Sequence, residues 1–228
     1  MKLAVLFTGG KDSTYALYLA QKAGHQIVGL ITLRSKNQAS YMFHTPAIEI
    51  TLLQAQALEL PQIIKETPGQ KEKELADLED VLQHAKKKWE IEGVVTGALF
   101  SEYQSSRIEN ICSKLDLKVL SPLWHKPQEE EMKELLENKI QFIFTAVAAE
   151  GLDKSWLNKI ITKKELQKLK LLQEKNGINL AGEGGEFESL VLDCPLFKKK
   201  IVLDQVEIKE ESENTAHLII KKAHLAQK

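Results

Sequence analysis

The sequence has few cysteines, no excess of either charge and no long apolar run, and each shortage excludes a class of protein. Its two cysteines, Cys112 and Cys194, lie far apart and form no CxxC pair. Disulfide-stapled secreted domains and cysteine-rich metal sites need cysteines in closer spacing. The 31 basic and 32 acidic residues leave a formal net charge of −1. Proteins that coat nucleic acid or membranes carry a basic excess, so we expect any polyanion to be recognised locally.

No apolar stretch is long enough to indicate a membrane span or a secretory signal. The first apolar run, Leu3–Phe7, is far shorter than the ~18 residues that a transmembrane helix requires. Charged residues make up 28% and hydrophobic residues 43% of the 228 residues, which is usual for a folded soluble protein. We therefore expect a cytoplasmic protein of one large or two small domains.

Short apolar runs alternate with helical patterns over the first half of the chain. Leu3–Phe7 and Ile27–Leu33 read as buried strands, and a helix is expected from Lys11 or Asp12 to about Ala23, where Gly24 would end it. Thr45-Pro46 is a typical helix start. Further strands are expected at 63–64, 94–95 and 119–120, with helices near 71–90 and 101–115. This order predicts an α/β fold with a Rossmann-like, doubly wound parallel sheet.

The pattern changes after Pro122, where two prolines bracket a short link over residues 122–127. A charged helix at 129–139 leads to an apolar run at 140–149 and a second helix at 162–175. Strand-like runs follow at 188–193, 200–208 and 217–221. We therefore divide the chain into a domain of residues 1–124 and a smaller α+β domain of residues 125–228.

A glycine loop with the sequence TGGKDS occupies residues 8–13, between the first strand and the first helix. Backbone N–H groups and the positive end of the helix dipole converge at such a junction. The glycines permit close approach of an anion, the hydroxyls and Lys11 can bind it, and Asp12 could reach a metal ion or only cap the helix. Walker A spacing is absent, since Val5 and Asp12 stand where glycine and a hydroxyl residue belong. The expected phosphate cradle consists of Thr8, Gly9, Gly10, Lys11, Asp12 and Ser13.

This loop resembles the SGGxDS loop of the N-type ATP pyrophosphatases, the PP-loop group, with Thr8 in place of the usual serine. The resemblance implies a HUP-type Rossmann-like fold and cleavage of ATP between its α and β phosphates, with Mg²⁺. An adenylated intermediate would form on a carboxyl or carbonyl oxygen, and pyrophosphate would leave. Beyond the loop, the implied ATP-binding residues are Leu33, His44 and Gly97, and Asp12 is the implied magnesium ligand.

Several later motifs resemble the diphthine–ammonia ligases within that group. These motifs are SYMFHTP at 40–46, GA at 97–98 followed by EYQ at 102–104 and Arg107, SPLW at 121–124, and GEGGEFES at 182–189. The resemblance spans residue 3 to about 205 and implies ATP-dependent amidation of diphthine, a modified histidine on translation elongation factor 2, with ammonium as nitrogen donor. Residues 1–124 would then bind ATP and residues 125–228 the substrate, in a compact archaeal-type ligase that could form a homodimer.

Tyr103 and Arg107 are spaced to share one helix face, from which they could reach the nucleotide or the diphthine carboxylate. Ser101 and Gln104 fit a capping box, so part of this motif could be structural. A plain loop histidine remains an alternative for His44. We expect Cys112 to pack on an apolar helix stripe.

Three carboxylates crowd the glycine-rich stretch 182–188, and their mutual repulsion calls for a positive partner. Magnesium, ammonium and the trimethylammonium group of diphthine all qualify, and Trp124, Tyr103 or Phe187 could bind the last by cation–π attraction. A carboxylate could also deprotonate ammonium. The expected catalytic residues are Lys11, Asp12, Glu183 and Glu186, and the expected substrate-binding residues are Tyr103, Arg107, Trp124 and Glu188.

Two other functions remain open at this point. A PP-loop tRNA-modifying enzyme such as a thiolase is one, although it usually needs paired cysteines and a basic surface. A nucleotide-binding sensor without catalysis is the other, although it would not require the acidic loop.

Overall fold

The computed structural model describes residues 1–35 and 48–228, and its first sheet confirms the predicted doubly wound architecture. The sheet is parallel, with the order β3-β2-β1-β4-β5. Its strands are β1 (Lys2–Leu6), β2 (Gln26–Ser35), β3 (Gln62–Thr67), β4 (Gly93–Val95) and β5 (Lys118–Leu120). Its helices are α1 (Lys11–Lys22), α2 (Thr51–Leu58), α3 (Lys71–Trp89) and α4 (Glu102–Lys114), and a 3-10 turn at Ile48–Ile50 precedes α2. The helix start predicted at Thr45-Pro46 lies outside the described residues.

Helices cover both faces of this sheet. Leu17 of α1 packs in one hydrophobic cluster with Val5, whereas Leu78 of α3 and Ile111 of α4 pack in another with Ala4. The strand order reverses between β1 and β4, and ligands of open α/β sheets bind at such a reversal, beyond the carboxyl ends of the strands. The glycine loop follows β1, and Gly97 follows β4. Both therefore lie at the position where this fold binds ligands.

The C-terminal half forms a second, antiparallel sheet with the order β7-β6-β9-β8. Its elements are α5 (Gln128–Glu137), β6 (Gln141–Ala148), α6 (Lys163–Asn176), β7 (Phe187–Asp193), β8 (Lys200–Ser212) and β9 (Thr215–Ala226). The last two strands extend beyond the predicted runs, because they pair as one hairpin from Lys200 and Ala226 to Ser212 and Thr215. Hydrogen bonds between the two strands keep this exposed end of the hairpin in strand conformation. Its sequence lacks the alternation of apolar and polar residues that would have predicted a strand.

The two halves share one core. The cluster that contains Leu17 also contains Met132 of α5 and Phe144 of β6. No helix in residues 1–35 and 48–228 is long and apolar enough to cross a membrane. The division at residues 124 and 125 remains a prediction.

Candidate active site

The glycine loop has a backbone that only glycine accommodates at its second position. Gly9 has a φ of +80°, and a Cβ atom there would lie 2.2 Å from Oε1 of Gln54. The next residue, Gly10, is the N-cap of α1 and provides no side-chain cap. The first N–H groups of a helix have no partner within the helix; a serine of β7 binds that of Lys11, and the N–H groups of Asp12 and Ser13 after it face the loop, where an anion could bind. This end of α1 therefore has the form of a phosphate site.

Two hydroxyls line the same loop. The side-chain oxygens of Thr8 and Ser13 lie 3.1 Å apart, and the Ser13 hydroxyl donates to the Gly10 carbonyl at 3.3 Å. Gly97 approaches from the end of β4, where a Cβ atom would lie 2.7 Å from the Ser13 nitrogen. A larger residue at position 97 would displace the first turn of α1. The structure thus brings together the predicted residues Thr8 to Ser13 and Gly97.

Strand β7 contributes a residue that the sequence analysis did not assign. The Ser189 hydroxyl accepts a hydrogen bond from the Lys11 backbone N–H at 3.1 Å. Two residues further along β7, the Val191 N–H donates to the Gly9 carbonyl at 3.0 Å. The buried Gln54 amide donates to both carbonyls, of Gly9 and Val191, at 2.8 Å each. The C-terminal half therefore holds the glycine loop in place.

The Lys11 side chain lies in the interior, although the sequence predicted that it would face phosphate. It is 1% exposed, and its Nζ lies 2.5 Å from Oδ1 of Asp12 and 3.4 Å from Oε1 of Glu131 on α5. Burial alone would lower the pKa of Lys11, but the charges of Asp12 and Glu131 outweigh it and raise the pKa. Lys11 is therefore charged, and Asp12, at 31% exposed, is the member of this group that faces solvent.

Glu131 is a buried carboxyl that no sequence motif indicated. Burial raises its pKa, Lys11 opposes that rise, and the negative charge of Asp12 adds to it. One ammonium beside two carboxylates leaves an unbalanced negative charge in a buried place, which is unfavourable. Asp12 is the nearer of the two carboxyl groups to the Lys11 ammonium, at 2.5 Å against 3.4 Å for Glu131.

The three glutamates of the stretch 182–188 differ in their burial and hydrogen bonding. The buried Glu186 carboxylate accepts hydrogen bonds from the Asn179 N–H at 2.8 Å, the Asn179 amide at 2.7 Å and the Gly184 N–H at 2.8 Å. Glu183 lies at the surface instead, where its carboxylate accepts a hydrogen bond from the backbone of Phe100. Glu188 is half-buried within β7. The Glu186 contacts order the loop that carries Glu183.

Glu183 interacts electrostatically with the glycine loop. Crowding by surrounding protein atoms raises its pKa, and the negative charge of Asp12 raises it further. Lys11 acts in the opposite direction. A carboxylate with a raised pKa beside a phosphate cradle is suited to accept a proton. The structure thus places Lys11, Asp12 and Glu183 at one site.

A stack of three aromatic rings lies beside this acidic loop. The Trp124 ring stacks on His125 with centroids 4.8 Å apart, and His125 stacks on Phe100 at 5.8 Å. The backbone N–H of Phe100 binds Glu183, so the stack borders the carboxylate. Phe187 was a third candidate for cation binding, but it is 6% exposed and stacks on Phe144 at 3.9 Å. That expectation was wrong, because the ring is part of the core.

Tyr103 and Arg107 share one face of α4, as their spacing predicted. The Arg107 Cζ lies 3.5 Å from the centre of the Tyr103 ring, and its Nη1 donates to the Tyr103 carbonyl at 3.1 Å. The Nε of Arg107 is buried without a hydrogen-bond partner in the described part of the chain. Ser101 caps the helix by accepting from the Gln104 N–H at 3.3 Å, which confirms that part of the capping box.

Of the other two residues predicted to bind ATP, Leu33 and His44, the structure describes only Leu33. Leu33 is 5% exposed, in the cluster on the sheet face opposite α1, so only its backbone could meet a ligand. His44 and its motif lie outside the described residues.

Both cysteines are buried, as predicted for packing residues. Burial raises the thiol pKa of Cys112 to about 12 and that of Cys194 to about 11. Neither thiol is suited to act as a nucleophile at neutral pH.

No group of three or more metal-ligating side chains occurs within residues 1–35 and 48–228. Magnesium usually needs only one or two carboxylates when phosphates supply its other ligands. Asp12 fits that requirement, since it is partly exposed at the cradle.

Comparison with known proteins gives the same family over both halves. The family model described as diphthamide synthase N-terminal domain matches residues 1–119, and the C-terminal domain model matches residues 127–226. A Mus musculus protein named diphthine--ammonia ligase is 39% identical over 251 residues, covering 100% of this chain and 94% of the relative. The Homo sapiens protein of that name is 39% identical over 230 residues, covering 91% and 85%.

One solved structure that resembles this fold is the predicted subunit of tRNA methyltransferase from Methanocaldococcus jannaschii. Its TM-score is 0.43 and its sequence identity 14%, covering 86% of this chain and 98% of that chain.

Proposed function

This chain belongs to the diphthamide synthase family, and we propose that it catalyses the amidation of diphthine on translation elongation factor 2 by ammonium and ATP. This reaction is the last step of diphthamide synthesis and makes the protein a ligase that forms a C–N bond. The observation that carries the proposal is the contact of the glycine loop with β7, the strand that follows the acidic stretch, through Ser189 and Val191. We further propose that the enzyme acts in the cytoplasm, where its substrate protein works.

The glycine loop provides the ATP site in this proposal. The phosphates are suited by the N-terminus of α1, the hydroxyls of Thr8 and Ser13 and the close approach of Gly97. Asp12 would hold Mg²⁺, which supplies positive charge to the phosphates when it is bound. The buried Lys11 neutralises Asp12, so a carboxylate can stand near the phosphates without repelling them.

The proposed reaction has two steps. The diphthine carboxylate attacks the α phosphorus of ATP, forming an acyl adenylate and releasing pyrophosphate. Ammonia then attacks the activated carbonyl carbon, and AMP leaves with the acyl oxygen. Adenylation is required because oxide is a poor leaving group, whereas AMP is a good one. N–H groups at the end of α1 would stabilise the charge that develops on the pyrophosphate.

Glu183 is the base of the second step in this proposal. Its raised pKa suits the acceptance of a proton from ammonium, which has to lose one to become a nucleophile. Glu186 contributes by ordering the loop. The Trp124 stack and the carboxylates of Glu183 and Glu188 would bind the trimethylammonium group. Arg107, stacked on Tyr103, would bind a carboxylate or phosphate oxygen.

The reaction is tested by incubating the protein with ATP, ammonium and elongation factor 2 that carries diphthine. We expect AMP and pyrophosphate to form in equal amounts with diphthamide, which mass spectrometry of the factor detects. Formation of ADP, or turnover that needs tRNA, would contradict the proposal. A sulfur-transfer reaction is already disfavoured, since both cysteines of the chain are buried.

A further inference from the structure

Helices α1 and α5 are joined by a row of polar contacts at matching intervals. Residues three or four apart share a face of a helix, so the row follows one face of each. Its pairs are Lys11 with Glu131 (3.4 Å), Tyr15 with Glu134, and Tyr18 with Asn138 (2.9 Å). The row connects the first turn of the helix after the glycine loop to the C-terminal half.

The first pair in the row differs from the others because it is fully buried. Glu131 is 0% exposed, and its second carboxyl oxygen has no hydrogen-bond partner in the described part of the chain. A buried polar atom without a partner reduces stability, and a buried ion pair can often be replaced as a whole by apolar residues of similar volume without loss of stability. Packing of the two helices therefore does not account for a glutamate at position 131.

Glu131 contacts the ligand site through Lys11 and interacts with the Asp12 carboxylate as well. The Lys11 ammonium lies between Glu131, at 3.4 Å, and Asp12, at 2.5 Å. Glu131 holds the Lys11 ammonium on the side that faces α5. The Asp12 carboxylate therefore remains partly exposed while it contacts that ammonium. Without Glu131, the ammonium would be free to move toward the phosphates or into solvent, and Asp12 would lose its orientation.

We propose that Glu131 is a positioning residue of the ATP site, which fixes Lys11 and Asp12 in the orientation that binds magnesium and ATP. The proposal rests on the use of ATP inferred above. It makes the geometry of the N-terminal phosphate loop depend on a helix of the C-terminal half.

The test is the binding of ATP with magnesium to the full chain, measured by calorimetry without diphthine or ammonium. We expect Glu131→Gln to weaken ATP binding about tenfold, which corresponds to ~1.4 kcal/mol. Glu130→Gln is the matched control, because Glu130 lies on the same helix, is 53% exposed and forms an ion pair with Lys126. The control should bind ATP as the wild type does.

A second variant separates positioning from a purely structural role. Glu131→Met in a Lys11→Met background replaces both members of the buried pair with apolar residues of similar volume, so we expect a melting temperature near that of the wild type. This double variant should still bind ATP about tenfold more weakly. A structural role would make stability and ATP affinity change together, so wild-type affinity in both variants would overturn the proposal.

A double-mutant cycle tests the route through Lys11. Glu131→Gln should have a smaller effect on ATP binding in a Lys11→Met background than in the wild type, because the part of its effect that passes through the ammonium is missing. An equal additional loss in that background would overturn the proposal. A wild-type protein that binds no ATP would contradict the proposed function as well, whereas loss of diphthine amidation with intact ATP binding would contradict only that function.

Discussion

The two halves of the molecule contribute to the candidate site in different ways. The N-terminal half supplies mainly backbone, through the Gly9 conformation and the uncapped N-terminus of α1. The C-terminal half supplies side chains: Glu131, Glu183 and Ser189. A backbone cradle binds phosphate whatever the second substrate is, whereas the side chains adapt it to a particular reaction. The difference indicates that ATP binding and amidation can be impaired separately.

The largest expected loss follows from Asp12→Asn. The amide removes the charge that would hold magnesium and leaves the buried Lys11 without its nearest carboxylate. We expect AMP formation to fall by ~100-fold or more, since electrostatic groups at reacting centres commonly contribute that much. Asp80→Asn, at a 71% exposed position on α3, is the matched control and should retain full activity. Equal AMP formation in both variants would remove Asp12 from the site.

The next largest effect is expected for Glu183→Gln and should be confined to amidation. A glutamine cannot accept a proton, so diphthamide formation should fall by ~10²-fold, the range of general-base contributions, with ATP affinity unchanged. In the wild type the rate should decline as the pH falls through the raised pKa of Glu183, because the protonated acid is no base. The variant should show no such decline once its rate is corrected for the concentration of unprotonated ammonia at each pH. A loss of ATP affinity alone would place Glu183 on the nucleotide.

Glu186→Gln is expected to affect folding stability more than either substrate. In the wild type, each carboxylate oxygen of Glu186 accepts a hydrogen bond from a backbone N–H group. A glutamine has an amide NH₂ group in place of one oxygen, and this donor would face at least one of those N–H groups. We expect a loss of about 1–3 kcal/mol in the free energy of unfolding, measured by urea titration. Glu213→Gln, in the exposed turn between β8 and β9, should leave stability unchanged. A fully stable Glu186→Gln protein without amidation would assign Glu186 to catalysis instead.

The smallest effect is expected for Ser189→Ala, which tests the contact between the halves at the glycine loop. The variant loses the hydroxyl that accepts from the Lys11 N–H, a hydrogen bond worth about 1 kcal/mol. ATP affinity should fall about fivefold by calorimetry. Ser113→Ala, on the exposed face of α4, is the control. An unchanged affinity in Ser189→Ala would limit the role of β7 to the backbone bond between Val191 and Gly9.

Local patterns in the sequence predicted most of the N-terminal half. The helix ending at Gly24, with its φ of +84°, and the cap at Ser101 depend on residues only a few positions apart. Contacts between residues far apart in the chain were harder to predict from the sequence. The ends of β8 and β9 were predicted too short, and Phe187, one of three aromatic residues considered for cation binding, packs on Phe144. Burial of such a ring depends on which distant strand lies beside it.

The sequence by itself determined the glycine loop, because a buried strand, paired glycines and a helix start are consecutive in the chain. Only the tertiary structure decided which side chains surround that loop. Lys11 and Glu131 are 120 positions apart, and Lys11 and Ser189 are 178 apart. The packing of α5 and β7 against the parallel sheet brings them within hydrogen-bond distance. The same packing separates Glu183 from Glu186, whose residue type and spacing were equally consistent with either role.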